Sequence, residues 1–204
     1  MNPEITIVDY GVGNLASIAN ILKKIGVSAE ISSDKSVISN AKRLILPGVG
    51  SFDYGISNLR KLGLDIILNE KVLTDKTPIL GLCLGFQLMT HGSEEGKLNG
   101  LGWLNARCSK FKFDSLEYKI PHMGWNYVNC NKENILSQGL NPMKFYFVHS
   151  YHISNEQTED VILSANYGYQ FTCGMQKENI FGVQFHPEKS HKYGMQLFKN
   201  FASI

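Results

Sequence analysis

Gly81-Leu82-Cys83-Leu84-Gly85 constrains this chain more than any other stretch. The run before it, Thr77-Pro78-Ile79-Leu80, reads as a buried strand, and Phe86-Gln87-Leu88-Met89 after it reads as a helix start. A strand that turns at once into a helix commits the chain to α/β layering, and the glycines at 81 and 85 let the turn be sharp. The layout is that of a nucleophile elbow with cysteine in the place of serine. A cysteine there stands at the first turn of a helix, where the backbone dipole favours its thiolate. A lone cysteine near a strand end is more often a small buried hydrophobe, so the catalytic reading requires a base from elsewhere.

Phe181-Gly182-Val183-Gln184-Phe185-His186-Pro187-Glu188 supplies one. Two residues apart on an extended chain, His186 and Glu188 point the same way. Glu188 can hold the imidazole in one tautomer while His186 takes the proton of Cys83. The plain alternative is a surface His and Glu after a strand, but the elbow and this strand-terminal pair in one small chain favour the catalytic reading. Pro47-Gly48-Val49-Gly50-Ser51 comes after the third strand, at the same sheet edge as Cys83 if the strands are parallel. An N–H from the Val49-Gly50 loop and another from Leu84 can then meet a developing oxyanion.

Strand and helix alternate through the first half. Ile5–Val8, 27–31 and 43–46 read as strands; 14–25, 51–62 and 64–73 read as helices. Leu15, Ile18, Ala19, Leu22 and Ile25 fall on one helical face, and Gly26 ends it. Residues 77–82 form the strand into the elbow. The second half is richer in strands, at 103–113, 118–128, 144–148, 160–166, 170–176 and 180–185, with a turn at Asn166-Tyr167-Gly168. The expected fold is α/β, a mostly parallel central sheet flanked by helices with additional antiparallel strands in the second half. No linker or repeat interrupts residues 1–204, which read as one domain.

With 204 residues and 43% hydrophobic content the chain can build a sizeable core. A net charge of +2 with dispersed basic residues gives no reason to expect nucleic acid or an anionic membrane as partner. The apolar runs are too short to span a bilayer, and Met1-Asn2-Pro3-Glu4 lacks a signal-peptide pattern. Cysteines 83, 108, 130 and 173 show no metal spacing and read as free thiols of a cytoplasmic protein, the last three as packing residues. His122, His149 and His152 read as hydrogen-bonded structural groups, and neither a metal nor a cofactor is expected. Gly11-Val12-Gly13-Asn14-Leu15-Ala16, with Glu30 downstream, fits a loose dinucleotide fingerprint, but a tight strand-to-helix turn is the favoured reading, since Cys83 and His186 demand their own site and nothing else suggests redox chemistry.

Gly81-x-Cys83-x-Gly85-x-Gln87 and His186-Pro187-Glu188 together resemble the class I glutamine amidotransferases, a flavodoxin-like fold. Asp9-Tyr10-Gly11-Val12-Gly13-Asn14, Pro121-His122-Met123-Gly124-Trp125-Asn126, Tyr146-Phe147-Val148-His149-Ser150-Tyr151 and the continuation Lys189-Ser190 narrow the resemblance to the glutaminase branch that serves imidazole glycerol phosphate synthesis. The resemblance implies a Cys83-His186-Glu188 triad that hydrolyses glutamine through a glutamyl thioester. Val49, Gly50 and Leu84 would form the oxyanion hole, and Gln87, Ser150 and Tyr151 would hold the substrate. It further implies a heterodimer with a (β/α)8-barrel synthase subunit, faced by Asn14, Trp125, Tyr146 and Lys189. That partner would take the ammonia and convert PRFAR to imidazole glycerol phosphate and AICAR in histidine biosynthesis.

Gly102-Trp103-Leu104-Asn105-Ala106 and Ser190-His191-Lys192-Tyr193-Gly194-Met195 look more like a paralogous branch whose ammonia goes to surface-sugar amidation. A stand-alone γ-glutamyl cysteine hydrolase is a third reading and a catalytically dead scaffold a fourth. The intact triad speaks against the last.

Overall fold

A computed structural model describes residues 3–114, 117–154 and 159–204; Met1 and Asn2 of the N-terminal reading lie outside the described residues. The chain runs β1 Ile5–Val8, α1 Leu15–Lys24, β2 Ala29–Ser32, α2 Lys35–Ser39, β3 Leu44–Leu46, α3 Phe52–Lys61, α4 Leu64–Asn69, β4 Ile79–Leu82 and α5 Leu84–Leu88. It continues β5 Arg107–Lys110, β6 His122–Cys130, β7 Met143–His149, β8 Tyr151–Ser154, β9 Val161–Tyr167, β10 Tyr169–Lys177, β11 Ile180–Val183 and α6 His191–Ala202.

One mixed sheet orders these strands β2-β1-β3-β4-β11-β10-β9-β6-β7, with β8 joined to β10 and β5. From β2 to β11 every pairing is parallel, and from β11 to β7 every pairing is antiparallel. The parallel core and the later antiparallel strands match the sequence expectation. Strands β1, β3, β4 and β11 are buried along their length because helices cover both faces, and all but Thr6 of β1 are apolar residues or glycine. Alternation divides their side chains between two cores. Val8, Leu46 and Ile79 pack with α3, α4 and α5, while Ile7, Ile45, Leu80, Val183 and α6 residues Leu197, Phe198 and Phe201 pack with α1. Burying each such side chain contributes roughly 1.5–3 kcal/mol.

The last strand closes the first half of the chain. β11 lies beside β4 in parallel register, Ile180 opposite Ile79 and Val183 opposite Leu82. The segment leaving the end of β11 therefore emerges next to the elbow at the end of β4.

Several element boundaries differ from the sequence reading. The strand expected over 103–113 is confined to β5, because the backbone before it bonds elsewhere: the N–H groups of Trp103 and Leu104 both donate to Met89 O. The helix expected over 64–73 ends at Asn69 and widens into a π turn over Glu70–Thr74. The strand expected over 118–128 starts only at His122, after a proline that has no N–H to give. β2 is shifted to 29–32, and β11 stops at Val183 rather than 185. β8, α2 and α6 are additions to the sequence reading. α6 carries Gly194 in its interior, which argues against a helix, yet a Cβ there would collide with Pro187 O. Cys108 and Cys173 are buried, and burial pushes the Cys108 thiol up to about 12 and Cys173 well above the usual range. Cys130 is exposed at the end of β6, so it is not a packing residue. No helix among the described residues is long and apolar enough to cross a membrane.

Candidate active site

Cys83 sits between β4 and α5 with φ 51° and ψ −109°, a conformation strained for any residue with a Cβ. Its N–H donates to Val183 O at 2.8 Å and its carbonyl accepts from Gln87 N–H at 3.2 Å, so strand and helix clamp it from both sides. α5 is only five residues long, and the help it gives a thiolate comes from its first N–H groups rather than from an extended dipole.

The glycines around the elbow serve close packing. Gly81 and Gly182 are register partners on β4 and β11; a Cβ on Gly182 would strike the Phe86 ring, and one on Gly81 would meet the Met89 side chain and the Phe86 backbone. A Cβ on Gly85 would collide with Leu46 O, and one on Gly48 would lie 2.5 Å from Gly85 N. The Pro47-Gly48-Val49-Gly50 loop and the elbow thus touch backbone to backbone. Tyr10, fully buried, donates its hydroxyl to Pro47 O and fixes the root of that loop. Burial and the charge of Cys83 push its phenol far up, so it remains a neutral donor. Gly13 also packs on Pro47, at 2.9 Å for a Cβ placed on that glycine, and Glu30 accepts from Thr6 across β1 and β2. The glycine-rich 11–13 segment is therefore a packing turn at this sheet edge.

His186 and Glu188 lie just beyond β11. His186 Nδ1 and Glu188 Oε1 are 2.7 Å apart, with their side chains 2% and 3% exposed. Because the carboxylate accepts, Nδ1 carries the proton and Nε2 is the working nitrogen. Nε2 and Glu188 Oε2 are buried, and neither has a hydrogen-bond partner among the described residues. Burial pulls the imidazole down, but the charges of Cys83 and Glu188 outweigh it and push His186 up to about 10.

A cavity of about 310 Å³ opens over this pair. Val49, Gly50, Cys83, Leu84, Gln87, Ser150, Tyr151 and His186 all line it, so the sequence-derived nucleophile, base, oxyanion loop and substrate residues share one pocket. The Gln87 amide is already engaged, donating to Tyr151 O and to Gln184 Oε1, both at 3.0 Å. Trp125 and Tyr146 are register partners on β6 and β7, and Lys189 Nζ lies 5.8 Å from the Tyr146 ring centroid. Asn14 is exposed at the start of α1, which packs against the turn of residues 187–189. Trp125 is 42% exposed and stacks on His191 at 5.6 Å.

Two site residues escape the sequence reading. Glu95 lines the pocket, its carboxylate accepting from Phe52 N–H at 2.9 Å, and burial raises its pKa. Nothing local marks it, since it comes from an irregular loop. Gln184 donates to Cys83 Sγ at 3.6 Å. It shares the period-two run Gln184, His186, Glu188, and that spacing is the signal that could have found it.

A sequence model of the class-I glutamine amidotransferases matches residues 6–204. The chain belongs to that family. Among its relatives, imidazole glycerol phosphate synthase subunit HisH 2 of Methanococcus maripaludis is 54% identical, the alignment covering 97% of this chain and 98% of that protein. HisH 2 of Pseudomonas aeruginosa is 48% identical over 98% and 99%. The structure of PurLQS from Thermotoga maritima superposes with a TM-score of 0.76 over 100% of this chain and 99% of that one, at 18% identity, which speaks for the amidotransferase fold.

Proposed function

We infer that this amidotransferase is the glutaminase subunit of an imidazole glycerol phosphate synthase, one domain over residues 1–204 that feeds ammonia to a (β/α)8-barrel subunit. The observation that carries the chemistry is a strained cysteine facing a buried His–Glu pair in a pocket of amino-acid size. Near-full-length identity to HisH subunits carries the pathway.

Glutamine enters with its carboxamide over Cys83. Glu95 receives the α-ammonium group. The carbonyls of Ser150 and Tyr151 are already taken, by Phe111 N–H at 3.0 Å and by His149 and Gln87, so N–H groups are what this segment offers the α-carboxylate. His186 takes the Cys83 thiol proton at Nε2 as the sulfur attacks the carboxamide carbon. N–H groups of Leu84 and the Val49-Gly50 loop hold the oxyanion, each such donor worth about 10²–10³ in kcat. His186 protonates the departing ammonia, then takes a proton from the water that cleaves the thioester to glutamate.

The partner face is Asn14, Trp125, Tyr146 and Lys189. It reaches the catalytic base through backbone. His186 N–H donates to Tyr146 O at 2.9 Å, and the Ser190 hydroxyl donates to His186 O while accepting Tyr146 N–H. A barrel subunit that shifts β7 shifts the base.

Glutamate release by the purified chain, alone and with a barrel synthase subunit and PRFAR, tests the reading. A large rise with partner and PRFAR is expected. Activity that stays low would move the acceptor to another amidation enzyme, and full activity alone would make this a stand-alone hydrolase.

A further inference from the structure

His122 touches neither the pocket nor the triad, yet it sits in a hydrogen-bond chain whose proton directions the structure fixes. His149 Nδ1 is 2.8 Å from Tyr151 O. A carbonyl only accepts, so His149 carries its proton on Nδ1 and presents a bare Nε2. That Nε2 lies 2.9 Å from His122 Nδ1, across the β6–β7 register pair, so His122 must also carry its proton on Nδ1. His122 Nε2 is then an acceptor, and Asn126 Nδ2 donates to it at 3.2 Å. The Asn126 amide is itself pinned, Nδ2 donating to Asn166 O and Oδ1 accepting Tyr127 N–H, both at 2.8 Å. Burial keeps both imidazoles neutral, drawing His122 to about 4 and His149 to about 3.

The chain continues past Tyr151. Its carbonyl accepts a second proton from Gln87, which also donates to Gln184, which donates to the Cys83 sulfur. One network thus joins β6, beside exposed Trp125, to the nucleophile, and Tyr151 O is its junction. The His122 ring is gripped between Phe147 at 4.7 Å and Tyr167 at 4.1 Å, so it has one place to aim its proton.

We propose that His122 is a positioning residue for glutamine hydrolysis: its Nδ1 proton fixes His149, and through the Tyr151 carbonyl it seats Gln87 and the pocket wall against the substrate. The proposal rests on the glutaminase reading above. His122→Phe keeps the stack and deletes both hydrogen bonds. His122→Asn sacrifices the stack but can place an amide N–H where Nδ1 was. Both are assayed for glutaminase kcat and KM in complex with the barrel subunit and PRFAR, with ammonium-dependent synthase activity as control.

For His122→Phe we expect kcat/KM for glutamine about tenfold lower, carried by KM, with ammonium-dependent activity unchanged. His122→Asn should recover most of the loss. Equal impairment of both variants, or wild-type kinetics in His122→Phe, overturns the proposal. A wild-type complex without glutaminase activity overturns the functional reading instead. If His122→Phe does not fold, imidazole ¹⁵N shifts of the wild-type chain decide: a proton on Nε2 of either His122 or His149 overturns the proposal, and protons on both Nδ1 atoms support it.

Discussion

Two histidine pairs lie close to the same pocket and are buried alike, yet burial leaves them in opposite charge states. His186 is 2% exposed and is pushed up to about 10; His122 is 2% exposed and is drawn down to about 4. Burial penalises the cation in both places. Beside His186 stand Glu188 and Cys83, whose negative charges exceed that penalty. Beside His122 stand a neutral histidine and an amide, which return no charge. Burial sets the cost of a proton and the partner's charge decides whether it stays. The charged pair performs the chemistry, and the neutral pair holds the wall against which it is performed.

The comparison breaks most completely at the nucleophile. Cys83→Ala removes both the attacking atom and one of the two charges that hold the His186 proton. Glutamine hydrolysis should fall by at least about 10⁴-fold, while synthase activity supported by ammonium salts persists. Imidazole NMR should show the His186 pKa lowered in the same variant. Wild-type hydrolysis by Cys83→Ala would refute the mechanism, and loss of the ammonium-dependent activity would make Cys83 structural. Glu188→Gln is the milder version, since it keeps the shape and removes the charge. We expect kcat to drop by about 10²–10⁴-fold, as when the carboxylate of a triad is neutralised. An unchanged His186 pKa in that variant would show that Cys83 alone sets the proton.

The charged pair is legible in the sequence as a pair, whereas His122 and His149 are legible only as hydrogen-bonded histidines without their partnering, because the two pairs are built differently. His186 and Glu188 are two residues apart, and Cys83 sits in a turn whose glycines announce it. The parallel core is legible for the same reason: β1, β3, β4 and β11 are short apolar runs whose buried faces leave their signature in order along the chain. The His122–His149 pair depends on register across an antiparallel ladder, which appears only after folding. Glu95 reaches the pocket from a loop without periodicity. α6 is hidden by Gly194, a helix-weakening residue kept because the helix must approach Pro187 closely. The strand expected over 103–113 fails because tertiary hydrogen bonds to Met89 claim its backbone.

Glu95 sharpens the comparison by placing a charge in the pocket that touches neither pair. Glu95→Gln should raise KM for glutamine by about tenfold to a hundredfold, the scale of one charge-assisted hydrogen bond. Its kcat should hold, because the carboxylate meets the substrate's fixed end rather than its reacting carbon. A fall in kcat with constant KM would mean that Glu95 instead acts on the triad, and the pocket's charges would then not be local.

The smallest effect tests the neutral pair through stability. An unfolded histidine titrates near ~6.5, whereas folded His122 and His149 titrate at about 4 and about 3. Between those values the unfolded chain takes up protons that the native chain refuses. The contribution of a depressed group is thus complete above pH ~6.5 and is lost as pH falls toward the folded values, at up to about 1.4 kcal/mol per pH unit for each excluded proton. His186 runs the other way. It is protonated in both states at acid pH, so its contribution is full below pH ~6.5 and is lost as pH rises from there through about 10. Urea unfolding of the chain between pH ~5 and ~6.5 should therefore show stability falling with acid, and His122→Phe should lose up to one proton from that slope. Carboxylates titrate mostly below this window, which leaves the imidazoles to dominate it. An identical slope in His122→Phe would mean that His122 titrates normally when folded, and the contrast between the two pairs would collapse to a difference in exposure.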